Sequence, residues 1–270
     1  MPPQSAIITV MVNAARKASI RLKRDYGEVD QLQISKKGPA DFVTAADIRT
    51  EKILREELLR ARPSFGLLME EAGEQLGADT HRRWIIDPID GTTNFVHGIA
   101  QFAISIAAEE NGEFTAGLIF DPIGEELFWA ERGQGAYLND RRIRVSSRAK
   151  MAQSLFATGI PFMGRGKEED HDKFLAEMKA IMSVSAGLRR FGSAALDLAY
   201  VAAGRFDGFW ESGLQPWDMA AGILIVREAG GLVTDLSGRD RMVESGSIVA
   251  ANPHLHQDLR TLITGAKTKG

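Results

Sequence analysis

The chain has 270 residues, of which 44% are hydrophobic and 26% are charged, and its formal net charge is −3. This length suits one large or two small domains with a sizeable core, and the mild charge argues against nucleic-acid binding as the main task. The lack of cysteine excludes disulfide scaffolds, cysteine-ligated metals and thiol catalysis. We therefore expect a compact cytoplasmic protein with no membrane span and no secretory signal.

The first half of the chain predicts two helices followed by an antiparallel sheet. Apolar residues recur at helical spacing from Ile7 to Ile20 and over residues 47–60. Gly27 ends the first pattern and Pro63 terminates the second. From Trp84 the periodicity changes, and strands are predicted over residues 84–86, 102–108, 114–120 and 125–130. The two helices are expected to cover this sheet.

The second half alternates between strand and helix patterns, which favours a sheet packed between helices. Strands are predicted over residues 155–158, 188–191, 207–211, 232–234 and 247–251. Helices are predicted over residues 172–182, 193–203 and 219–229. We predict two subdomains, 1–145 and 146–270, and segment 161–172 carries no recognisable motif.

Four acidic segments place carboxylates beside chain reversals or helix starts. They are residues 41–47, 70–71, 87–93 and 217–218. The most informative reads Asp87-Pro-Ile-Asp90-Gly-Thr-Thr and follows an apolar strand, so its carboxylates lie at a strand end, where open sheets keep their ligand sites. Gly91 frees the backbone so that successive amides point at one spot. Two oxygen ligands beside amide donors suit a divalent cation bridged to a phosphate.

Each of these features also has a simpler structural interpretation. Asp-Gly is a common turn and Asp-Pro a common loop opener, although the whole string is much harder to attribute to turn chemistry alone. Asp218 directly precedes an apolar helix, where N-capping is the simplest role. Glu70 and Glu71 follow an apolar run, and such a pair is usually solvated surface.

The motifs together closely resemble those of the inositol monophosphatase family. The string 84–98 resembles its first signature, and Trp217-Asp-Met-Ala-Ala-Gly222 with Glu228-Ala-Gly-Gly231 resembles its second. The segments 192–195 and 208–211 match in order and spacing, and the resemblance spans roughly residues 6–260. Within the family, the chain is most similar to the bacterial branch that includes the extragenic suppressor SuhB. The resemblance implies an α/β (α+β) fold, a layered α/β/α/β/α sandwich of the sugar-phosphatase type, and usually a homodimer.

The resemblance further implies a magnesium site. Glu70, Asp87 and the main-chain carbonyl of Ile89 would hold one Mg²⁺, and Asp87, Asp90 and Asp218 a second. A third, weaker Mg²⁺ near Glu70 would help to activate the attacking water, and lithium inhibits many members of the family. Physical reasoning agrees, because four carboxylates and a phosphate in one cleft repel each other strongly unless cations fill it.

The resemblance to the family also implies which residues of this chain act in catalysis and in substrate binding. Asp47 and Thr92 would orient the attacking water, so that Asp47, Glu70 and Thr92 form the catalytic set. The resemblance assigns substrate binding to Asp90, Gly91, Thr92, Ala194 and Glu211. The expected reaction is Mg²⁺-dependent hydrolysis of inositol 1-phosphate, a phosphorylated polyol. Alternatives are histidinol phosphate, the 2′-phosphate of NADP and fructose 1,6-bisphosphate, because pocket walls and not metal ligands choose the substrate.

Two features leave the choice of substrate and a possible second function open. Gln215 occupies a position where some animal members carry His, so its effect on substrate choice is undetermined. The SuhB branch is associated with transcription, which suggests contact with RNA polymerase or an elongation factor as a different kind of function. The only sequence feature that favours it is the basic stretch 141–150, which is otherwise a solvated face.

Overall fold

The computed structural model of the chain describes residues 4–28, 34–38, 41–161 and 168–266. Within these ranges the helices are α1 (Ala6–Gly27), α2 (Ala45–Ala61), α3 (Thr92–Val96), α4 (Glu168–Met182), α5 (Ala194–Ala202), α6 (Pro216–Glu228), α7 (Met242–Ser245) and α8 (His256–Thr264). Residues 162–167, which are part of the segment 161–172 that carried no motif, lie outside the described residues.

The strands form a short hairpin and two larger sheets. They are β1 (Ile34–Gly38), β2 (Asp41–Thr44), β3 (Phe65–Met69), β4 (Gly73–Gln75), β5 (Asp79–Asp90), β6 (Ala103–Glu110), β7 (Glu113–Asp121), β8 (Glu126–Glu131), β9 (Gly135–Leu138), β10 (Arg141–Ile143), β11 (Leu155–Thr158), β12 (Gly187–Arg189), β13 (Gly208–Ser212), β14 (Leu232–Thr234) and β15 (Ser247–Ala251).

The larger sheet has eight strands in the order β10-β9-β8-β7-β6-β5-β3-β4, and the smaller has five in the order β12-β11-β13-β15-β14. The larger sheet is antiparallel except where β3 runs parallel to β5. In the smaller sheet β11 runs parallel to both of its neighbours, β12 and β13. The antiparallel meander of β6, β7 and β8 confirms the predicted strands and their short connections.

Five layers stack in the order helix, sheet, helix, sheet, helix. Helices α1 and α2 pack on one face of the eight-stranded sheet, and α5 and α6 pack on its other face. Helices α5 and α6 also contact the five-stranded sheet, whose far side is covered by α4 and α8. One apolar core lies between α1/α2 and the larger sheet, a second surrounds α5 and α6 and joins the two sheets, and a third lies between the smaller sheet and α4/α8. The predicted layered sandwich is confirmed.

Local sequence explains where the two N-terminal helices begin. The Ser5 hydroxyl accepts a hydrogen bond from the Ile8 N–H at 3.4 Å and caps α1. Thr44 caps α2 in a reciprocal capping box with Asp47. One face of each helix is apolar and fully buried, as at Met11 and Leu54, which is the face that the predicted spacing placed against the sheet.

Each predicted element overlaps an observed one, although the strand predicted over 84–86 extends over Asp79–Asp90 and helix α8 was not predicted. The strand predicted over 188–191 ends at Arg189, and Phe191 beyond it is partly exposed. The division into subdomains at 145/146 stays a prediction, although the two larger sheets are built from residues 65–143 and 155–251. No helix in the described part of the chain is long and apolar enough to cross a bilayer.

Candidate active site

A β-bulge near the end of strand β5 brings two carboxylates to one face of the sheet. In a regular strand, Asp87 and Asp90 would point to opposite faces, because they are three residues apart. Their partners on β6 are Ser105 and Ala103, which are only two residues apart. The extra residue on β5 therefore resets the alternation, so that both side chains reach the same site. Both are buried.

Helix α6 adds a third carboxylate to this pair. Asp87, Asp90 and Asp218 each offer an oxygen within 4.8 Å of the others, a grouping that can hold a metal ion. The sequence suggested Asp218 as an N-cap, which is wrong. Gln215 is the N-cap, Pro216 follows, and Asp218 lies at the third helical position, where its Oδ2 accepts the Gln215 N–H at 2.7 Å.

Main-chain donors orient the other two carboxylates of this acidic cluster. The Ile89 N–H donates to Asp87 Oδ1 at 2.9 Å, and the Ala195 N–H donates to Asp90 Oδ2 at 2.7 Å. A carboxylate has about four lone-pair sites, so each side chain keeps acceptor capacity for a cation. The cluster is thus built from oxygen donors that the backbone already holds in position.

Glu70 joins the cluster from the adjacent strand. It directly follows β3, whose neighbour in the sheet is β5, and the Glu70 N–H donates to the Ile86 carbonyl at 3.2 Å. Its carboxyl group is in hydrogen-bond contact with Asp87. Two carboxyl groups so close repel unless a proton or a cation lies between them. The sequence predicted Glu70, Asp87, Asp90 and Asp218 as one site, and the structure brings them together.

Burial and mutual repulsion raise the pKa values of these carboxyl groups. Burial raises the pKa of Asp87 well above its usual range, and the charges of Glu70, Asp90 and Asp218 add to it. The pKa of Asp218 is raised in the same way, mainly by burial and by Asp90. Burial raises the pKa of Asp90 to about 6, even though hydrogen bonds from Ser193 and Ala195 favour its charged form. Buried acids of this kind are stabilised in their charged form by a bound cation.

Asp47 and Thr92 form a second group beside the acidic cluster. The Thr92 hydroxyl lies 3.2 Å from Asp47 Oδ1 and 3.0 Å from the Ile89 carbonyl oxygen. Asp47 Oδ2 accepts both the Thr44 N–H, at 2.8 Å, and the Thr44 hydroxyl, at 2.6 Å. Burial raises the pKa of Asp47 to about 6. The capping box of α2 thereby holds one oxygen of Asp47 and directs the other toward Thr92.

Gly91 makes the sharp turn between β5 and α3. Its φ of 99° lies in the left-handed region that glycine adopts without strain. A Cβ at this position would lie 2.9 Å from the Gln101 carbonyl oxygen and 3.2 Å from that of Gly192. Glycine is therefore required both by the backbone conformation and by the close approach of two other chain segments.

Ala194 and Glu211 lie on elements of the second half of the chain. Ala194 is the first residue of α5 and is buried, and its N–H contributes a hydrogen bond to Asp90. Glu211 is half-buried on β13. Its negative charge raises the pKa values of Asp197 and Asp218, so it lies close to the acidic cluster.

Sequence reasoning missed two side chains that support the site. The Ser193 hydroxyl caps α5 and donates a short hydrogen bond to Asp90 Oδ2. Glu51, buried on α2, accepts the N–H groups of Glu71 at 2.8 Å and Ala72 at 3.0 Å. A usable signal existed for Glu51, because it follows Asp47 by four residues and so shares its face of the helix. No local signal ties Ser193 to Asp90.

Comparison with known proteins agrees with this geometry. The model of the inositol monophosphatase family matches residues 4–267. An inositol-1-monophosphatase of Rhizobium meliloti is 54% identical, with 96% of this chain and 97% of that protein covered. The Nus factor SuhB of Pseudomonas aeruginosa is 43% identical, with 95% of each chain covered. The crystal structure of the extragenic suppressor protein SuhB from Bartonella henselae superposes with a TM-score of 0.94 at 54% identity, covering 97% of this chain and all of that one.

Proposed function

Because this chain belongs to the inositol monophosphatase family, we propose that it hydrolyses inositol 1-phosphate to inositol and inorganic phosphate. Members of the family are metal-dependent phosphatases, and this chain is a phosphatase. The observation that carries the proposal is the convergence of Asp87, Asp90 and Asp218 within 4.8 Å, a grouping that suits a hard divalent cation. The relative named for this activity at 54% identity supports the choice of substrate.

The acidic cluster would hold two or three Mg²⁺ ions. Its donors are all oxygen atoms, which magnesium prefers, and the chain has no cysteine that would favour softer metals. We assign Glu70, Asp87 and the Ile89 carbonyl to one ion and Asp87, Asp90 and Asp218 to the second, with a third, weaker ion near Glu70. When bound, Mg²⁺ supplies charge neutralisation for the carboxylates and the phosphate and lowers the pKa of a water molecule.

Asp47 and Thr92 would hold the attacking water. Thr44 occupies Asp47 Oδ2, so Asp47 Oδ1 and the Thr92 hydroxyl, 3.2 Å apart, are left to bind the water from two sides. With a pKa of about 6, Asp47 is ionised at neutral pH and accepts a hydrogen bond or a proton from that water. Glu70 completes the catalytic set.

The phosphate and the polyol would contact different parts of the site. The main-chain amides of Gly91 and Thr92 lie at the turn between β5 and α3, where Gly91 is the N-cap. We assign them to the phosphate, because converging N–H groups at a helix start bind phosphate oxygens. Asp90, Ala194 and Glu211 would face the hydroxyl groups of the substrate. Glu211 accepts hydrogen bonds only, so it selects substrates that present hydroxyl donors.

The test is phosphate release by metal-stripped protein to which Mg²⁺ is added in steps. The panel contains inositol 1-phosphate, histidinol phosphate, NADP and fructose 1,6-bisphosphate, each with and without lithium. Asp90→Asn is the test variant, and Asp140→Asn, which removes an exposed carboxylate elsewhere, is its matched control. We expect Mg²⁺-dependent turnover of inositol 1-phosphate that Asp90→Asn abolishes and Asp140→Asn retains.

Two outcomes would change the proposal in different ways. Turnover confined to another monophosphate keeps the reaction and replaces the substrate, because the cluster acts on the phosphate while the pocket walls choose the alcohol. No turnover of any substrate by folded protein that binds Mg²⁺ in a calorimetric titration contradicts the proposed activity.

A second candidate function is contact with RNA polymerase or an elongation factor. It is favoured by the SuhB-named relatives and by the basic segment 141–150, which begins on the terminal strand β10. Arg141 and Arg142 are exposed there. Co-purification with the transcription machinery that survives Asp87→Asn but fails after charge reversal of Arg141 and Arg142 supports this function. Binding that is lost in Asp87→Asn and retained after the charge reversal contradicts it.

Membership of the family also leads us to expect a homodimer. Analytical ultracentrifugation over a range of protein concentrations measures it directly. A single species at twice the chain mass of 29.5 kDa supports the dimer, and a species at the chain mass contradicts it.

A further inference from the structure

The carboxylate of Glu211 occupies the space that a side chain at residue 159 would fill. A Cβ built on Gly159 would lie 1.9 Å from Glu211 Oε1 and Cδ and 2.3 Å from Oε2. These distances are far below van der Waals contact, so no other residue type fits beside Glu211 in its present position. The contact follows from the sheet, because β11 and β13 run side by side with Thr158 opposite Trp210.

The backbone at Gly159 does not itself require glycine. Its φ lies outside the left-handed region, unlike that of Gly91. The Thr158 hydroxyl fixes the local chain, since it lies 2.8 Å from the Trp210 carbonyl oxygen and 3.1 Å from that of Gly159. What glycine provides here is therefore room, and the group that uses this room is the Glu211 carboxylate.

We propose that Gly159 determines substrate specificity by setting where the Glu211 carboxylate meets the hydroxyl groups of a phosphorylated polyol. The proposal rests on the proposed function, in which Glu211 faces those hydroxyls. Any side chain at position 159 moves the carboxylate out of its place and so removes a charged hydrogen-bond acceptor from the substrate. The three atoms nearest to a Cβ at position 159 all belong to Glu211, and none belongs to the acidic cluster or to Asp47. At saturating Mg²⁺ we therefore expect the reaction at phosphorus to be retained.

The substitution Gly159→Ala is well suited to test this idea. The atoms in its way are the end of one flexible side chain, so the protein accommodates the methyl group by moving Glu211 rather than by moving backbone. A hydrogen bond between a hydroxyl and a carboxylate accounts for about 10- to 100-fold in binding. We expect kcat/KM for inositol 1-phosphate to fall by about that factor. Phenyl phosphate, which has no alcohol hydroxyls, should be hydrolysed as by the unmodified protein.

The experiment compares four proteins and one control variant on these two substrates at saturating Mg²⁺. They are the unmodified protein, Gly159→Ala, Glu211→Gln and the double variant. If Gly159 acts through Glu211, the double variant is no slower on inositol 1-phosphate than Glu211→Gln alone, because interacting residues are not additive. Gly27→Ala is the matched control, since a Cβ at Gly27 has no atom within 4 Å.

Several outcomes would overturn the proposal. Equal losses on both substrates assign Gly159 a general structural role, and a further loss in the double variant shows that it acts apart from Glu211. A crystal structure of Gly159→Ala with the Glu211 carboxylate unmoved also overturns it, whatever the activity. Failure of the proposed function is distinct, because it is the unmodified protein that then fails to hydrolyse inositol 1-phosphate. In that case the crystal structure still decides whether position 159 sets the position of Glu211.

Discussion

The substitution Glu51→Gln tests whether the acidic cluster depends on a side chain that does not belong to it. Glu51 accepts one N–H on each of its oxygens, from Glu71 at 2.8 Å and from Ala72 at 3.0 Å. These amides immediately follow Glu70 in the chain. The carboxylate therefore holds the turn that presents Glu70 to the cluster, and it does so from a buried position on α2.

The expected magnitude follows from the chemistry of the substituted group. A glutamine has one acceptor oxygen and one donor amide, so one of the two N–H groups would face another donor. Losing a hydrogen bond to a charged acceptor costs about 1.5–3 kcal/mol. Residues that orient metal ligands typically change metal affinity by about 10–100-fold. We expect Glu51→Gln to weaken Mg²⁺ binding by about that factor while kcat recovers at high Mg²⁺.

The assay is a calorimetric titration of metal-stripped protein with Mg²⁺, together with kcat measured over increasing Mg²⁺. Glu56→Gln is the matched control, because it makes the same chemical change on the exposed face of the same helix. An unchanged Mg²⁺ affinity in Glu51→Gln, together with a lower free energy of unfolding, would refute the reasoning. Glu51 would then stabilise the fold without positioning Glu70.

Other predictions concern the site and its charges. Ser193→Ala removes a hydrogen bond to Asp90 and the cap of α5, so we expect weaker Mg²⁺ binding and a lower Tm. Ser5→Ala is the control, because it removes only the cap of α1 and should lower Tm without changing Mg²⁺ binding. In the metal-free protein, the pKa of Asp47 is about 6 in the folded state, against its ordinary value of 3.8. Between these pH values the folded state binds more protons than the unfolded state. The free energy of unfolding therefore falls as pH rises through this window. Thermal unfolding in a chelator should therefore show Asp47→Asn gaining stability over the unmodified protein at pH 7.5 but not at pH 4; an equal gain at both values contradicts the assignment. Mg²⁺ should raise Tm at pH 7.5 more than at pH 5, because protons compete with the cation for the acidic cluster, and a pH-independent rise would place the binding elsewhere.

Much of the fold could be predicted from the sequence because its signals are local. The apolar spacing from Ile7 to Ile20 predicted α1, and Gly27 predicted its observed end. The segment 155–158 predicted β11 with both of its observed ends. Burial periodicity depends only on which residues face the core, so it can be recognised without knowing what lies opposite. The edge strand β10 and its neighbour β9 were missed, since strands of three and four residues are too short to show that alternation.

The candidate site was also partly predictable from local sequence and partly dependent on the tertiary structure. Asp87, Asp90 and Gly91 lie within five residues, so one string indicates their chemistry. Whether Asp87 and Asp90 share a face depended on a bulge, which appears only in the pairing of β5 with β6. The position of Asp218 in the first turn of α6, rather than at its cap, also became clear only from the structure.

The sequence by itself determined the order of elements, the family motifs and the carboxylates available for a cation. The tertiary structure alone decided that Ser193 meets Asp90 and that the Glu211 carboxylate lies against Gly159. The physical reason is that a helix or strand pattern is set by neighbours along the chain. A contact between residues far apart along the chain is set instead by how five layers pack, which sums many weak contacts that no short segment contains.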